Sequence, residues 1–178
     1  MAVVKVSYTR SRRGAKASIR YITHRPGRDG MKMSRTLWGS DGSVAKRDAY
    51  GLIDRAGKGS IFFRLAISPD PKIEDTRRDL HLRSITEATM NALEERAGRE
   101  ISWIAAVHAD HAPHRHVHVL AIVQGRLDRS DLHALIEGAT GACGQQRIER
   151  DQALKERVQA QEQTLEQWEL QHEHTDDS

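Results

Sequence analysis

Five of the ten histidines of the chain lie close together, in the run HADHAPHRHVH that spans residues 108–118. Side chains two residues apart on a β-strand point to the same side, about 6.6 Å apart along the chain, so His114, His116 and His118 would share one face. His108 lies at the end of the segment before them. Imidazole nitrogens bind divalent metals at about 2.0 to 2.1 Å. The run therefore predicts a metal site formed by His108 and two neighbouring histidines, either His114 with His116 or His116 with His118.

Three imidazoles without a carboxylate leave coordination positions open, which is typical of a catalytic metal site rather than a structural one. Such a ligand set suits Mn²⁺, Zn²⁺, Co²⁺ or Ni²⁺. Asp110, and His114 if it is not a ligand, are candidates for orienting a ligating ring through a hydrogen bond. His111 is expected to be an exposed loop residue.

The charge of the chain is concentrated at its beginning. Residues 1–68 contain 15 Lys and Arg against 4 Asp and Glu, a net charge of +11, whereas the remaining residues carry −8 within a total of +3. A basic surface of this size suits a phosphate backbone, although a solvated basic helix would have the same composition. The candidates for contacting nucleic acid are Arg12, Arg13, Lys16 and Arg25.

Apolar periodicity predicts the elements that must position these residues. It favours strands over 3–8, 60–67, 101–107 and 114–123, and helices over 15–24 and 72–96, the second ending at Gly98. Residues 27–58 are expected to form an irregular surface excursion with a short helix over 44–55. The order strand, helix, strand, helix, strand, strand indicates an α+β fold, with a central sheet that contains antiparallel strands and with helices packed on one face of it.

The chain beyond residue 125 is predicted to be helical. We expect a short helix over 131–137, a Gly-rich break over 138–144 and a long helix over 146–172. In the long helix Leu154, Val158, Leu165 and Trp168 form a narrow heptad-like stripe that Gln161 interrupts. This stripe is expected to pack back on the domain, with a weak dimer seam as the alternative. The predicted organisation is a domain over 1–145 and a C-terminal helical extension over 146–178.

The single cysteine, Cys143, excludes a disulfide within the chain and is typical of a reducing compartment. The longest apolar run, 119–123, is far shorter than a membrane span, and the N-terminus lacks the pattern of a secretory signal. The expected location is the cytoplasm.

All three tyrosines, Tyr8, Tyr21 and Tyr50, precede the histidine run. His116-Val117-His118, with His108 eight residues before His116, resembles the His-x7-His-x-His motif of conjugative relaxases of the mobilisation-protein A class, within the HUH (His-hydrophobic-His) endonuclease superfamily. The segments AVVKVSYTR and SRRGAKASIR, followed by Tyr21-Ile22, also resemble the first strand and the nucleophile-bearing helix of that family. The resemblance covers residues 1 to about 125.

This resemblance implies that Tyr21 is the nucleophile and that His108, His116 and His118 hold a divalent metal, with Mg²⁺ or Mn²⁺ in use. It implies nicking of single-stranded DNA at a transfer origin, near a hairpin, through a tyrosine–5′-phosphate intermediate. Accessory mobilisation proteins and a type IV secretion coupling protein are the partners it implies. On the predicted helix, Tyr21 lies on the side away from Ile19 and Ile22, where it is free to meet substrate.

Two other functions are compatible with the same residues. One is a metal-dependent protein that binds nucleic acid without cutting it. The other is a hydrolytic nuclease that uses water and forms no covalent intermediate.

Overall fold

The computed structural model describes residues 1–26, 30–31, 33–109 and 114–172, apart from the side chain of residue 172. Its strands are β1 (Val3–Thr9), β2 (Leu37–Gly39), β3 (Gly42–Val44), β4 (Ser60–Ser68), β5 (Ser102–His108) and β6 (His116–Gln124). Its helices are α1 (Arg12–His24), α2 (Lys46–Arg55), α3 (Leu82–Ala97) and α4 (Arg129–His172).

The six strands form one sheet in the order β1-β4-β6-β5-β2-β3, and every neighbouring pair is antiparallel. The α+β class and the antiparallel pairing are therefore confirmed. β6 lies near the centre, between β4 and β5. In its register with β5, His116 is opposite His108, and His118 is opposite Ala106.

Side chains alternate along these strands, so the sheet has two faces. The histidine face carries His108, His116 and His118 and is covered by α1, whose buried residues are Ala15, Ile19, Ile22 and Thr23. The opposite face carries buried residues such as Val117, Val119 and Leu65, and it is covered by α3 and α4, which contact β6 and β1. The prediction of helices on one face is wrong, because the sheet has buried apolar residues on both sides, Phe62 and Leu120 on the histidine face and Val119 on the other, and each side needs a cover.

The helix predicted over 72–96 begins only at Leu82. The residues before it form turns that side chains hold in place: the buried Asp75 carboxylate accepts the Leu80 N–H at 3.1 Å, and the Glu74 carboxylate accepts the Asp70 N–H at 2.7 Å. These local bonds compete with helix formation. The predicted end of α3 is confirmed, because Gly98 adopts the left-handed conformation after its last turn, with φ of 65°.

α4 runs without interruption through residues 138–144, so the predicted Gly-rich break is wrong. Gly138 lies against α3, where an added Cβ would come within 2.8 Å of the Ala92 Cβ. Leu135, Ala139 and Cys143 are completely buried on the same side of α4. The glycine therefore serves the close approach of two helices and does not end one of them.

The second half of α4 does not pack back on the domain. Its described side chains are exposed from residue 152 onward, including the predicted stripe at Leu154, Val158, Leu165 and Trp168. The expectation that this stripe is buried on the domain is wrong. The proposed boundary between residues 145 and 146 stays a prediction, and α4 crosses it as one helix.

In the described part of the chain, no helix combines the length and the apolar character that crossing a bilayer requires.

Candidate metal centre and neighbouring tyrosine

His108, His116 and His118 converge on the histidine face. Each offers one ring nitrogen, and these three nitrogens lie within 4.8 Å of one another. The ring centroids are 4.5 Å apart for His108 and His118 and 4.9 Å apart for His116 and His118. His114 precedes β6, is exposed and lies outside this group. Of the two pairs that the sequence left open, the structure brings His116 and His118 together with His108.

Hydrogen bonds to backbone carbonyls define which ring nitrogens carry protons. The His108 Nε2 lies 2.9 Å from the Ile22 oxygen and must donate, since a carbonyl only accepts, so Nδ1 carries the lone pair. The His116 Nδ1 lies 3.3 Å from the His114 oxygen and donates in the same way, so its Nε2 carries the lone pair. Both rings are thus held in the tautomer that a metal ligand requires.

The Ile22 carbonyl is available to His108 for a local reason. In a longer helix it would accept the N–H four residues later, but that residue is Pro26, which has no N–H. The neighbouring carbonyls at the end of α1 accept from other backbone groups, Tyr21 from the Arg25 N–H and Thr23 from the Arg35 N–H. The end of α1 is therefore bonded directly to the centre of the sheet.

The donor geometry fits a metal ion. The Nε2 atoms of His116 and His118 are 3.2 Å apart. Two imidazole nitrogens bound at about 2.0 to 2.1 Å in a tetrahedral or octahedral arrangement are separated by about 2.8 to 3.4 Å. Within the described residues this group contains no carboxylate, so three imidazoles would leave coordination positions for water or substrate.

The electrostatics keep His118 neutral. Burial is the main cause that lowers the pKa of His118 from 6.5 to about 3, and the adjacent His108 and His116 act in the same direction. Arg25 and Arg35 lower the pKa further. An imidazole that stays unprotonated at neutral pH has a lone pair for a cation without first releasing a proton.

Tyr21 lies beside this centre. The Ser11 side chain caps the start of α1, and the predicted stripe of Ala15, Ile19 and Ile22 is buried against the sheet. Tyr21 is 48% exposed, and its ring centroid is 5.9 Å from that of His118 and 6.3 Å from that of His108.

A cavity of about 560 Å³ opens between α1 and strands β1, β4 and β6. Tyr21 and His118 contribute to its wall, and so do two cationic residues, Lys5 and Arg64. Sequence analysis did not identify either of them. A signal was present for Arg64, which is the only charged residue of β4 and interrupts the apolar run between Ser60 and Ser68.

The basic residues predicted to bind nucleic acid occupy different surroundings. Arg12 donates to the carbonyls of Ile53, at 3.3 Å, and Ala56, at 2.6 Å, and so binds the end of α2. Lys16 forms an ion pair with Asp54 at 2.7 Å.

Arg13 is exposed at the start of α1. Of the four predicted residues, only Arg25 contacts Tyr21, with its guanidinium 5.4 Å from the ring centroid. Arg35, which sequence analysis missed, donates to the Arg25 carbonyl at 2.9 Å and brings a second guanidinium to this end of α1. Nothing in the irregular segment around Arg35 marked it in advance.

The start of β6 is anchored from behind. Arg115, between His114 and His116, forms a two-point ion pair with the buried Asp75, at 2.7 and 2.9 Å, and also donates to the Leu80 carbonyl at 2.9 Å. These bonds fix the start of β6, directly before its two candidate metal ligands, His116 and His118. Asp110, predicted to orient a ring, lies outside the described residues.

Comparisons of this chain with protein-family models, with curated proteins and with solved structures gave no match. The features of this chain that bear on function are therefore the arrangement of Tyr21, the three histidines and the cationic groups around them.

Proposed function

We propose that the protein is a DNA strand transferase that cuts single-stranded DNA with Tyr21 as the nucleophile and a divalent metal held by His108, His116 and His118. The observation that carries the proposal is the position of the Tyr21 ring, 5.9 Å from the His118 ring and partly exposed at the mouth of a cavity. A role in packing alone does not explain why a partly exposed tyrosine lies beside three histidines that are arranged as metal ligands.

A phenol is a weak nucleophile at neutral pH, because its pKa is near 10. When bound, a divalent cation neutralises phosphate oxygens and the charge that develops in the transition state. Arg25 supplies a fixed positive charge beside the Tyr21 ring, which attracts an approaching phosphate. Lys5 and Arg64, which line the cavity, add attraction for the backbone of the same strand.

In the proposed step the Tyr21 oxygen attacks phosphorus and forms a phosphotyrosine bond. The bond from phosphorus to the 3′ oxygen of the preceding nucleotide breaks, and that oxygen leaves as a 3′ hydroxyl after gaining a proton, while the phenol loses one. The phosphodiester is exchanged for another phosphodiester, so the reverse attack by a 3′ hydroxyl reseals the strand. Neither direction consumes an energy source.

The resemblance of the motifs to mobilisation-protein A relaxases supports a transfer origin of a plasmid or mobile element as the target, near a hairpin. Accessory mobilisation proteins and a type IV secretion coupling protein are then the expected partners. The natural metal in this proposal is Mg²⁺ or Mn²⁺.

The proposal is tested with purified protein, Mn²⁺ and a random pool of single-stranded oligonucleotides, resolved on a denaturing protein gel. A label at the 3′ end should become attached to the protein, whereas a label at the 5′ end should be released on a shorter strand with a free 3′ hydroxyl. Tyr21→Phe should lose the adduct completely and keep its metal affinity, because it removes one oxygen and little packing.

Tyr8→Phe is the matched control, since Tyr8 is exposed on the opposite face of the sheet. An adduct that survives in Tyr21→Phe would contradict the assignment of the nucleophile. Cleavage without any adduct would replace the proposal with a hydrolytic nuclease, and binding without cleavage would replace it with a binding protein.

A further inference from the structure

The projecting part of α4, residues 152–171, is here termed the α4 stalk. All of its side chains are exposed. Four of its five larger apolar residues, Leu154, Val158, Leu165 and Trp168, nevertheless follow a regular spacing of four and three residues that Gln161 completes, and Leu170 lies outside this stripe. Leu165 is 58% exposed and Trp168 56%. An apolar stripe of this kind is normally the side of a helix that is buried against a partner.

We propose that two copies of the chain pair through their α4 stalks as a parallel, in-register coiled coil. The spacing places Val158 and Leu165 at heptad positions a, and Leu154, Gln161 and Trp168 at positions d. A β-branched residue at a together with leucine at d, as in Val158 and Leu154, favours two parallel strands. The apolar stripe of one chain would therefore pack against the same stripe of a second chain.

Gln161 selects the parallel orientation. In a parallel, in-register pair it meets Gln161 of the second copy, where the two side-chain amides can donate to and accept from each other. In an antiparallel pair an a position faces a d position, so Gln161 would lie against Leu165 or Val158 of the other helix. A buried amide without a partner costs free energy, and one polar residue in the seam is a known way to specify register.

The charges beside the stripe are complementary in the same register. Arg157 occupies position g and Glu162 the following position e, which are neighbours across a parallel seam. Each pair of stalks therefore gains two contacts between Arg157 of one copy and Glu162 of the other. Lys155 would approach Arg150 of the second copy, but Arg150 already lies 3.8 Å from Asp79 of its own domain. The two stalks would therefore pair favourably from about residue 154 onward.

The base of α4 is fixed to the domain, so the stalk projects in a defined direction. Arg147 forms ion pairs with Asp79 at 3.0 Å and with Asp151 at 3.1 Å, and Arg77 also reaches Asp151, at 3.2 Å. α4 covers the face of the sheet opposite the histidines. Pairing of stalks therefore leaves the metal centre and Tyr21 of both copies open.

The test is the mass of the full chain in sedimentation, measured from dilute solution up to the millimolar range. The expected result is a rise toward the mass of two chains with increasing concentration. Leu165→Glu should keep the mass of one chain throughout, because it places a charge in the seam. Gln163→Glu adds the same charge on the outer side of the stalk and should dimerise as the parent does.

The orientation is tested separately by oxidation of Gln161→Cys. A parallel, in-register pair brings the two new thiols together, so a disulfide-linked dimer should form and disappear on reduction. Gln163→Cys, which points outward, should form much less of it, and the buried Cys143 does not compete. A single-chain mass at every concentration, or a dimer that persists in Leu165→Glu, would overturn the proposal. A dimer in which Gln161→Cys forms no cross-link would overturn its parallel orientation.

Discussion

The two faces of the central sheet are formed by the same strands but differ in almost every physical respect. On β6, His116 and His118 point to one side, where they are partly exposed beside a cavity and cationic groups. Val117 and Val119, between and after them, point to the other side and are almost completely buried. The strand therefore carries its ligands and its packing residues in alternation. A change on one face should leave the property of the other face nearly intact.

The largest expected effect is on the histidine face. His116→Ala removes one of three ligands, and it should lower the affinity for Mn²⁺ by more than about 100-fold, since loss of a partner that merely orients a ligand already costs about 10 to 100-fold. His114→Ala should change the affinity by less than about threefold, because the His116 ring bonds to the backbone carbonyl of His114, which the substitution keeps. Calorimetric titration measures both. Equal losses at positions 114 and 116 would contradict this ligand set.

Val117→Ala, on the face opposite the histidines, is expected to have an effect of intermediate size. This substitution should lower the free energy of unfolding by about 2 kcal/mol, because it removes two methyl groups from a packed site and leaves a cavity. Mn²⁺ affinity should stay within about threefold of the parent, since the side chain points away from the ligands. Urea unfolding and metal titration of the same variant test the separation. A large loss of metal affinity would show that the two faces are coupled through the strand.

The smallest expected effect distinguishes the two ends of α1. Arg25→Gln should reduce the dependence of single-stranded DNA binding on salt by about 0.7 in the slope of log K against log salt, the value for one lost phosphate contact. Arg12→Gln should change that slope less and should lower thermal stability instead, because Arg12 donates to the carbonyls that end α2. Fluorescence anisotropy over a range of salt measures the slopes. A larger change of slope in Arg12→Gln than in Arg25→Gln would instead place the DNA at the start of α1.

Alternation made the histidine face predictable from the sequence. The strands around residues 60–67, 101–107 and 114–123 were predicted as apolar runs, and alternation along the last of them placed its histidines on one face. The helix that carries Tyr21 needed only the spacing of Ala15, Ile19 and Ile22. The approach of Tyr21 to the histidines was inferred from resemblance, because it depends on a bond from His108 to Ile22, which is 86 residues away in the chain. No local pattern encodes a contact of that separation.

The errors have a common physical origin in contacts that composition does not show. Gly138 suggested a break, but its lack of a side chain serves the packing of α4 on α3. The start of α3 was placed too early, because the buried carboxylates of Glu74 and Asp75 bind backbone N–H groups and stabilise turns instead. The assignment of Arg12 and Lys16 to a DNA surface is not one of these errors and stays a prediction, although Arg12 donates to the carbonyls of Ile53 and Ala56 and Lys16 pairs with Asp54.

The bond from His108 to the Ile22 carbonyl has a consequence for amide hydrogen exchange. Fraying of the last turn of α1 breaks this bond and removes the partner that orients His108, so local opening should weaken cation binding by about 10 to 100-fold. At a cation concentration that saturates both forms, the closed form gains the same factor, so exchange should slow by about 10 to 100-fold. The Arg25 amide, which donates to Tyr21 within that turn, would report the effect. Solvent exchange at one helix end thus becomes a measure of how fully the histidine centre is loaded.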